Sequence, residues 1–516
     1  MAVNPNITLD VFIIGGGISG AAIASECAQK GLKVAVCGKG DVGGASSSHS
    51  DQILPGAFHF LKNHNLPFFN KALKEKDILK YRAPHLCSEK EFIALTHTDT
   101  IETLKNKLWL WVFKHWLAKK DDDSCATLAS EHLKPLSDEP NQAWVFKEQM
   151  VNDSRLVIEN LLNVQKFGGL VLPRCACIGA TRTSGHWRIT VQHQDGRQQT
   201  LYSRSLINAA GPWVNQVQND ILNIETRCWV ELKRKYFLVV PRFYSGQQAY
   251  IVEDENQQLT VTPYQQHFCL VSLTDVTTND QCQNHTSEEE SLQVLARLNK
   301  YFKTQLNAES ILQSFATQQP LYTDDNQAQQ NCVDDYALDL HCSDGHSPVV
   351  SVFGGSFATH RVMALEVLQL LSPYVTFPLG TDIHSIPPLP GGDFMDQTFE
   401  QFILNIATDY PWLPSHLLHH YARTYGARCT MILEGCNSLT DLGEELCPGL
   451  REKEAAFLCD HEWSTCGDDI LWRRTQYGLQ ASNEDQSRLN QWVEHYLLCK
   501  KAEHRGTMST QFKSAL

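Results

Sequence analysis

Asp10-Val11-Phe12-Ile13-Ile14-Gly15-Gly16-Gly17-Ile18-Ser19-Gly20 is the stretch that decides the fold. Five residues, four of them apolar, followed by a glycine turn predict a short parallel strand buried on both faces. Gly15, Gly17 and Gly20 have G-x-G-x-x-G spacing, and each glycine has a mechanical reason. The first makes a tight turn, the second lets backbone approach a pyrophosphate, and the third lets a helix pack closely on the strand. The alanine-rich run after Gly20 reads as that helix, and Leu32–Cys37 (LKVAVC) as the next strand. A helix opening at such a turn offers unpaired N–H groups and the positive end of its dipole to phosphate oxygens. The acidic residue that binds ribose hydroxyls at the end of the second strand is replaced by Gly38, and Asp41 is the nearest carboxylate downstream.

Outward from this Rossmann-type unit, further buried strands are expected at Leu170–Pro173, Trp187–His193, Leu206–Gly211 and Val349–Phe353. The segments YFLVVPR, AYIVED, QLTVTPY and FCLVSLTD between 225 and 340 alternate as an antiparallel sheet does. NKALKEKDILKYRAPHL has helical periodicity. Ile386–Gly392 (IPPLPGG) reads as a linker, and everything beyond it as helical with no strand. The expected architecture is α/β: a Rossmann-type dinucleotide-binding domain, an antiparallel-sheet domain and an all-helical C-terminal domain. The first two share residues 1–385, with dinucleotide-binding segments at about 1–60, 150–220 and 345–385 and antiparallel-sheet segments at about 61–149 and 221–344. The helical domain is expected at 393–505.

The chain has 516 residues, 42% hydrophobic and 20% charged, enough for several cores. Its net charge of −14 argues against a nucleic-acid binder. The N-terminus has no secretory pattern and no apolar run spans a bilayer, so a cytoplasmic setting is expected. Seventeen scattered cysteines show no zinc spacing and read as buried thiols, with Cys175 and Cys177 alternating along a strand. Leu104–Lys120 (LKNKLWLWVFKHWLAKK) places Trp109, Phe113 and Trp116 on one helical face between lysines, the composition of an interfacial helix and equally of a packed amphipathic one.

Beyond these local readings, the sequence resembles the FAD-dependent, membrane-associated glycerol-3-phosphate dehydrogenases almost end to end. The resemblance rests on IIGGGISGAAIA, GLKVAV, APHL (Ala83–Leu86), VNDSRL (Val151–Leu156), INAAGPWV (Ile207–Val214), TDV (Thr274–Val276) and SVFGG (Ser351–Gly355). It continues through HYARTYG (His420–Gly426), DLGE (Asp441–Glu444), DHEW (Asp460–Trp463) and DDILWRRTQYGL (Asp468–Leu479). It implies FAD as cofactor, which makes the Rossmann-type domain a FAD-binding domain and the antiparallel-sheet domain a substrate domain that caps it, with FAD held by Gly15, Gly16, Gly17, Gly20, Asp41, Ser46, Ser47, Ala210, Gly211, Gly354 and Gly355. The family oxidises glycerol 3-phosphate to dihydroxyacetone phosphate and passes electrons to quinone. A small polyol or polyol-phosphate substrate, peripheral contact with the cytoplasmic face of the inner membrane through 104–120, and a homodimer are the corresponding expectations.

The departures from the family run one way. Where the family reads SSKLIHGGLRYL, this chain reads SDQILPGAFHFL (Ser50–Leu61): Lys becomes Gln52, His becomes Pro55, Arg becomes His59 and Tyr becomes Phe60. Elsewhere two arginines become Gln319 and Asp334, a lysine becomes Ser356 and a histidine becomes Phe237. Phosphate is held by arginine forks and lysine charges, and alcohol oxidation needs a base. The loss of both predicts either an enzyme with another substrate or a flavin-binding pseudoenzyme acting as a partner or regulatory subunit. His59 and His360, with the retained Arg361, are the candidate catalytic residues. Lys233-Arg234-Lys235 is a basic run read mainly as a solvated face.

Overall fold

The computed structural model describes residues 8–54, 66–96, 125–126, 130–138, 140, 142–183, 185–226, 228–254, 257–277, 286–324, 336–342, 346–378 and 385–513. His59, Pro55, Phe60, Asp334 and the tryptophan-rich stretch 104–120 lie outside the described residues.

The apolar run at the N-terminus forms β1 (Thr8–Ile14), the glycine turn leads into α1 (Ile18–Gln29), and β2 (Val34–Cys37) follows. β1 lies parallel to β2 on one side and to the strand Gln198–Asn208 on the other. That strand in turn lies parallel to Val349–Gly354, and β2 to Leu170–Leu172. These neighbours, with an antiparallel edge at Tyr336–His341 and the strands Cys175–Thr183 and His186–His193, make a sheet of eight strands among the described residues. One face packs on α1 and the helices Asp153–Lys166 and His360–Leu371 through Val11, Ile13, Ile23, Ile158 and Val367. The other buries Phe12, Ile14 and Cys37 against Cys175, Cys177, Trp187 and Ile189. The paired cysteines alternate inward along their strand, as their spacing predicts.

A second sheet, of nine strands among the described residues, carries the segments read as alternating. Cys228–Pro241 sits between Phe268–Thr277 and Gln313–Asp324, antiparallel to both. Tyr236, Leu238 and Val240 face a core closed by the helix Glu288–Tyr301, which opens with a Ser287/Glu290 capping box. Phe237 and Val239 point to the opposite face. Two strands of this sheet, Cys87–Thr96 and Gln142–Val151, pair over ten residues, although their charged sequences (CSEKEFIALT and QAWVFKEQMV) show little alternation. The preceding helix, Leu66–Arg82, stops before Ala83-Pro84, where proline disfavours helical backbone in the residue before it.

Beyond residue 393 the chain is mostly helical, with one correction: Glu445–Cys447 and Leu450–Arg451 form a small hairpin. Gly449, at φ +86°, makes its turn. Ile386–Gly392 is likewise no loose linker. Leu389 N–H donates to Arg82 O at 2.9 Å and Gly391 N–H to the Glu159 carboxylate at 2.8 Å. A Cβ on Gly392 would meet Arg82 O at 2.0 Å, so backbone seats on backbone here. Behind it, buried Arg155 donates to Glu462 (Nη2–Oε1 3.0 Å), which also pairs with Arg428. Burial alone would raise the Glu462 carboxyl, but the two guanidiniums outweigh it and hold it at about 2. Among the described residues no helix is long and apolar enough to cross a membrane.

Candidate functional site

The C-terminal ends of three adjacent parallel strands converge, and the glycines singled out in the sequence stand there. Ile14, Asn208 and Ser351 are in register across β1, Gln198–Asn208 and Val349–Gly354. Each strand then turns through glycine: Gly15 at φ +123°, Gly211 at +56°, and Gly354 and Gly355 at +76° and +106°. A Cβ on Gly15 would meet Ala209 O at 2.2 Å, and one on Gly20 would meet Gly15 O at 1.9 Å. The first glycine is thus required by the neighbouring strand and the third by the turn itself. Gly17 caps α1 without a side chain, and no acidic residue stands in its first turn. The positive helix end therefore remains available to an anion, with Gly16 beside it and Ser47 Oγ accepting the Ile18 N–H at 3.0 Å. A crevice outside the carboxyl ends of parallel strands, floored by such a helix, fits a dinucleotide pyrophosphate.

Asp41 is a correction. Its carboxylate is committed to arginines: Arg174 Nη1 at 3.3 Å, Arg473 Nε at 2.5 Å and Arg474 Nη2 at 2.9 Å. It clasps the β2 loop to the C-terminal region and is not available to a ribose. At Gly38 a Cβ would lie 3.4 Å from Gly16 Cα, an ordinary contact, so the missing acid reflects the residue present and not a blocked position.

Residues 46–51 join this crevice to the second sheet. Ser46 Oγ donates to Gln318 O at 2.9 Å, and the His49 ring stands edge-on to Phe315 at 5.0 Å. Asp51 pairs with Lys235. Buried Asp153 anchors the same loop through Ser50 (Oγ–Oδ2 2.9 Å). Opposite the loop, the register sets Lys233 against Gln319, Lys235 against Thr317 and Phe237 against Phe315. Phe237 is fully buried and stacks on Phe315 with ring centres 4.9 Å apart. This wall offers aromatic carbon where the family resemblance expects histidine, and an amide at Gln319 where it expects arginine. The basic run is no solvated face: all three residues are half-buried, Arg234 pairs with Glu290 at 2.9 Å, and Lys235 pairs with Asp51. Sequence reading missed Asp51, whose partner is 184 residues away.

The other two candidate catalytic residues, His360 and Arg361, stand away from this wall on the helix His360–Leu371. His360 is buried, and its Nδ1 contacts Phe357 O at 2.6 Å. Desolvation pushes its pKa down to about 4, helped by the charges of Arg82 and Arg361 and only partly opposed by the Phe357 carbonyl. Arg361 is buried against Glu75 (3.1 Å) and Glu26 (3.4 Å), where it ties α1 to the helices Leu66–Arg82 and His360–Leu371. The Ser356 hydroxyl lies 3.5 Å from that of Thr359, at the start of the same helix.

Residues 10–355 match the family model described as FAD dependent oxidoreductase. The glycerol-3-phosphate dehydrogenase of Pseudomonas aeruginosa is 33% identical over 487 residues, covering 94% of this chain and 95% of its own. The D-erythritol 1-phosphate dehydrogenase of Brucella abortus is 29% identical, covering 95% and 98%. Among solved structures, the glycerol-3-phosphate dehydrogenase of Bacillus halodurans complexed with FAD superposes with a TM-score of 0.72 at 20% identity, over 97% of this chain and 91% of that one. With the glycine crevice, the two sheets and the helical region arranged as described, the chain belongs to the FAD-dependent oxidoreductases and, within them, to the glycerol-3-phosphate dehydrogenase family.

Proposed function

We propose that this chain is a FAD-binding oxidoreductase whose rebuilt substrate site takes an uncharged polyol in place of glycerol 3-phosphate. The stacked Phe237–Phe315 pair carries this reading, because a buried aromatic ring occupies the position where the family resemblance places a titratable histidine. Gln319 on the same wall can hydrogen-bond a hydroxyl but cannot neutralise a phosphate dianion. Removing one charge-assisted hydrogen bond costs about 1.5–3 kcal/mol, so a phosphate headgroup forfeits most of its binding when several disappear.

Gly15, Gly16, Gly17 and Gly20 would hold the FAD pyrophosphate on the α1 N-terminus, with Ser46 and Ser47 alongside and Ala210, Gly211, Gly354 and Gly355 lining the crevice. Bound FAD supplies the two-electron acceptor. The second sheet would close over it as the cap, with residues 393–505 as a helical buttress clasped through Asp41.

A second reading, a flavin-binding pseudoenzyme serving as a partner subunit, is favoured by the state of His360 and Arg361. One is buried and neutral, and the other is spent on carboxylates. The visible spectrum of the purified protein, before and after anaerobic addition of glycerol 3-phosphate and then of unphosphorylated polyols, decides between them. Yellow protein bleached only by a polyol supports the rebuilt enzyme, and yellow protein bleached by nothing supports the pseudoenzyme. Bleaching by glycerol 3-phosphate, or a colourless protein, overturns both.

A further inference from the structure

We infer that the Asp51–Lys235 pair is a specificity device: Asp51 masks the cation nearest the aromatic wall of the substrate site and so keeps phosphorylated substrates out. The inference rests on the rebuilt-site reading above and deepens it. Lys235 lies two residues before Phe237 on the same strand face, with its Nζ 5.8 Å from the Phe237 ring centre. It points to the side of the sheet that bears Phe237 and Phe315, opposite the core of Tyr236 and Leu238. Its carboxylate partner is Asp51, at side-chain exposures of 14% and 18%, too enclosed for solvent to screen the pair fully. Asp51 in turn sits on the loop whose Ser47 meets the α1 N-terminus and whose Ser46 meets Gln318. The pair thus stands between the pyrophosphate crevice and the aromatic wall, where a substrate's polar end would approach.

A lysine in such a place attracts an anion. Occupied by a fixed carboxylate, it presents no net charge, and an incoming phosphate meets Asp51 as a like charge. This is selection by repulsion: an uncharged hydroxyl loses nothing, while a dianion must break an ion pair already made.

Isothermal titration calorimetry of the full-length protein as purified, with inorganic phosphate and then glycerol 3-phosphate, tests this without depending on flavin chemistry. Wild type should bind either anion weakly, and Asp51→Asn should bind both at least about tenfold more tightly, as expected when a charge-assisted contact is freed. Asp51→Asn combined with Lys235→Met should return to the wild-type value. Equal affinity in wild type and Asp51→Asn would overturn the inference, as would a gain that survives in the double variant. Failure of both Asp51→Asn and Asp51→Ser to fold would also overturn it, since the pair would then serve stability alone. Because the spectrum tests flavin and substrate while calorimetry tests anion exclusion, failure of one reading is distinguishable from failure of the other.

Discussion

Arg474 grips Asp41 across 433 residues of sequence, with Nη2 2.9 Å from Oδ1 and Nη1 on Oδ2. Both side chains are buried, and Arg473 and Arg174 converge on the same carboxylate. Asp469, whose carboxyl is held well below the usual range because backbone N–H groups and these arginines outweigh its burial, completes the cluster. Asp41→Ala would leave buried Arg474 without its carboxylate and Arg174 and Arg473 with Asp469 alone. It should destabilise the protein by about 3–5 kcal/mol, read as a lower urea midpoint. A change below about 1 kcal/mol would show that Asp469 and the Glu462 carbonyl suffice for the three arginines.

Gly38→Glu should tighten FAD binding. Gly38 lies outside the left-handed region, and its Cβ would make only an ordinary contact with Gly16, so the position accepts a side chain. A carboxylate there would accept from the adenosine ribose hydroxyls. One recovered charge-assisted bond corresponds to about tenfold or more in affinity, measured by fluorescence titration of the apoprotein with FAD. Unchanged affinity would place the ribose away from the end of β2.

Gly15→Ala should abolish flavin retention and lower stability, since its Cβ would overlap Ala209 O at 2.2 Å with φ already at +123°. Gly40→Ala, where a Cβ meets nothing within 4 Å, should be silent in both respects. The flavin-to-protein absorbance ratio of the two purified variants separates the outcomes. Equal depletion of flavin in both would move the cofactor off this turn.

His360 makes stability depend on acid. Its pKa falls from about 6.5 unfolded to about 4 folded, so between those values the unfolded chain binds a proton that the folded one refuses. Its stabilising contribution is complete above pH 6.5 and declines by about 3 kcal/mol as pH falls towards 4. Urea unfolding from pH 7 to 4 should show a shallower decline in His360→Gln than in wild type. Parallel slopes would mean that folding leaves the imidazole pKa unshifted, its desolvation fully offset.

Much of the fold is legible in the sequence because it is local. The run from Asp10 to Gly20 dictates strand, turn and helix within one short reach of chain, and the structure sets them as read, with β1 extended back to Thr8. The helix Leu66–Arg82 and the alternating strands after residue 228 follow from periodicity for the same reason. Cys87–Thr96 and Gln142–Val151 are not legible, because their charged residues obscure the two-residue period and their stability comes from pairing with each other. The hairpin at Glu445–Arg451 is too short to carry any pattern.

The sequence by itself determined the dinucleotide turn, the family and the absence of charge at Gln319 and Phe237, because residue identity and near-neighbour spacing settle such matters. Only the tertiary structure decided what the ionisable groups do. Asp41 is the nearest carboxylate after the place of a ribose ligand, and three distant arginines enclose it, while the retained Arg361 is paired with Glu26 and Glu75. Lys235 reads as a solvated charge, yet Asp51 reaches it from across the site. A charge acts through whatever lies within a few ångströms, and in a chain folded from segments hundreds of residues apart those neighbours are set by packing, not by order along the chain.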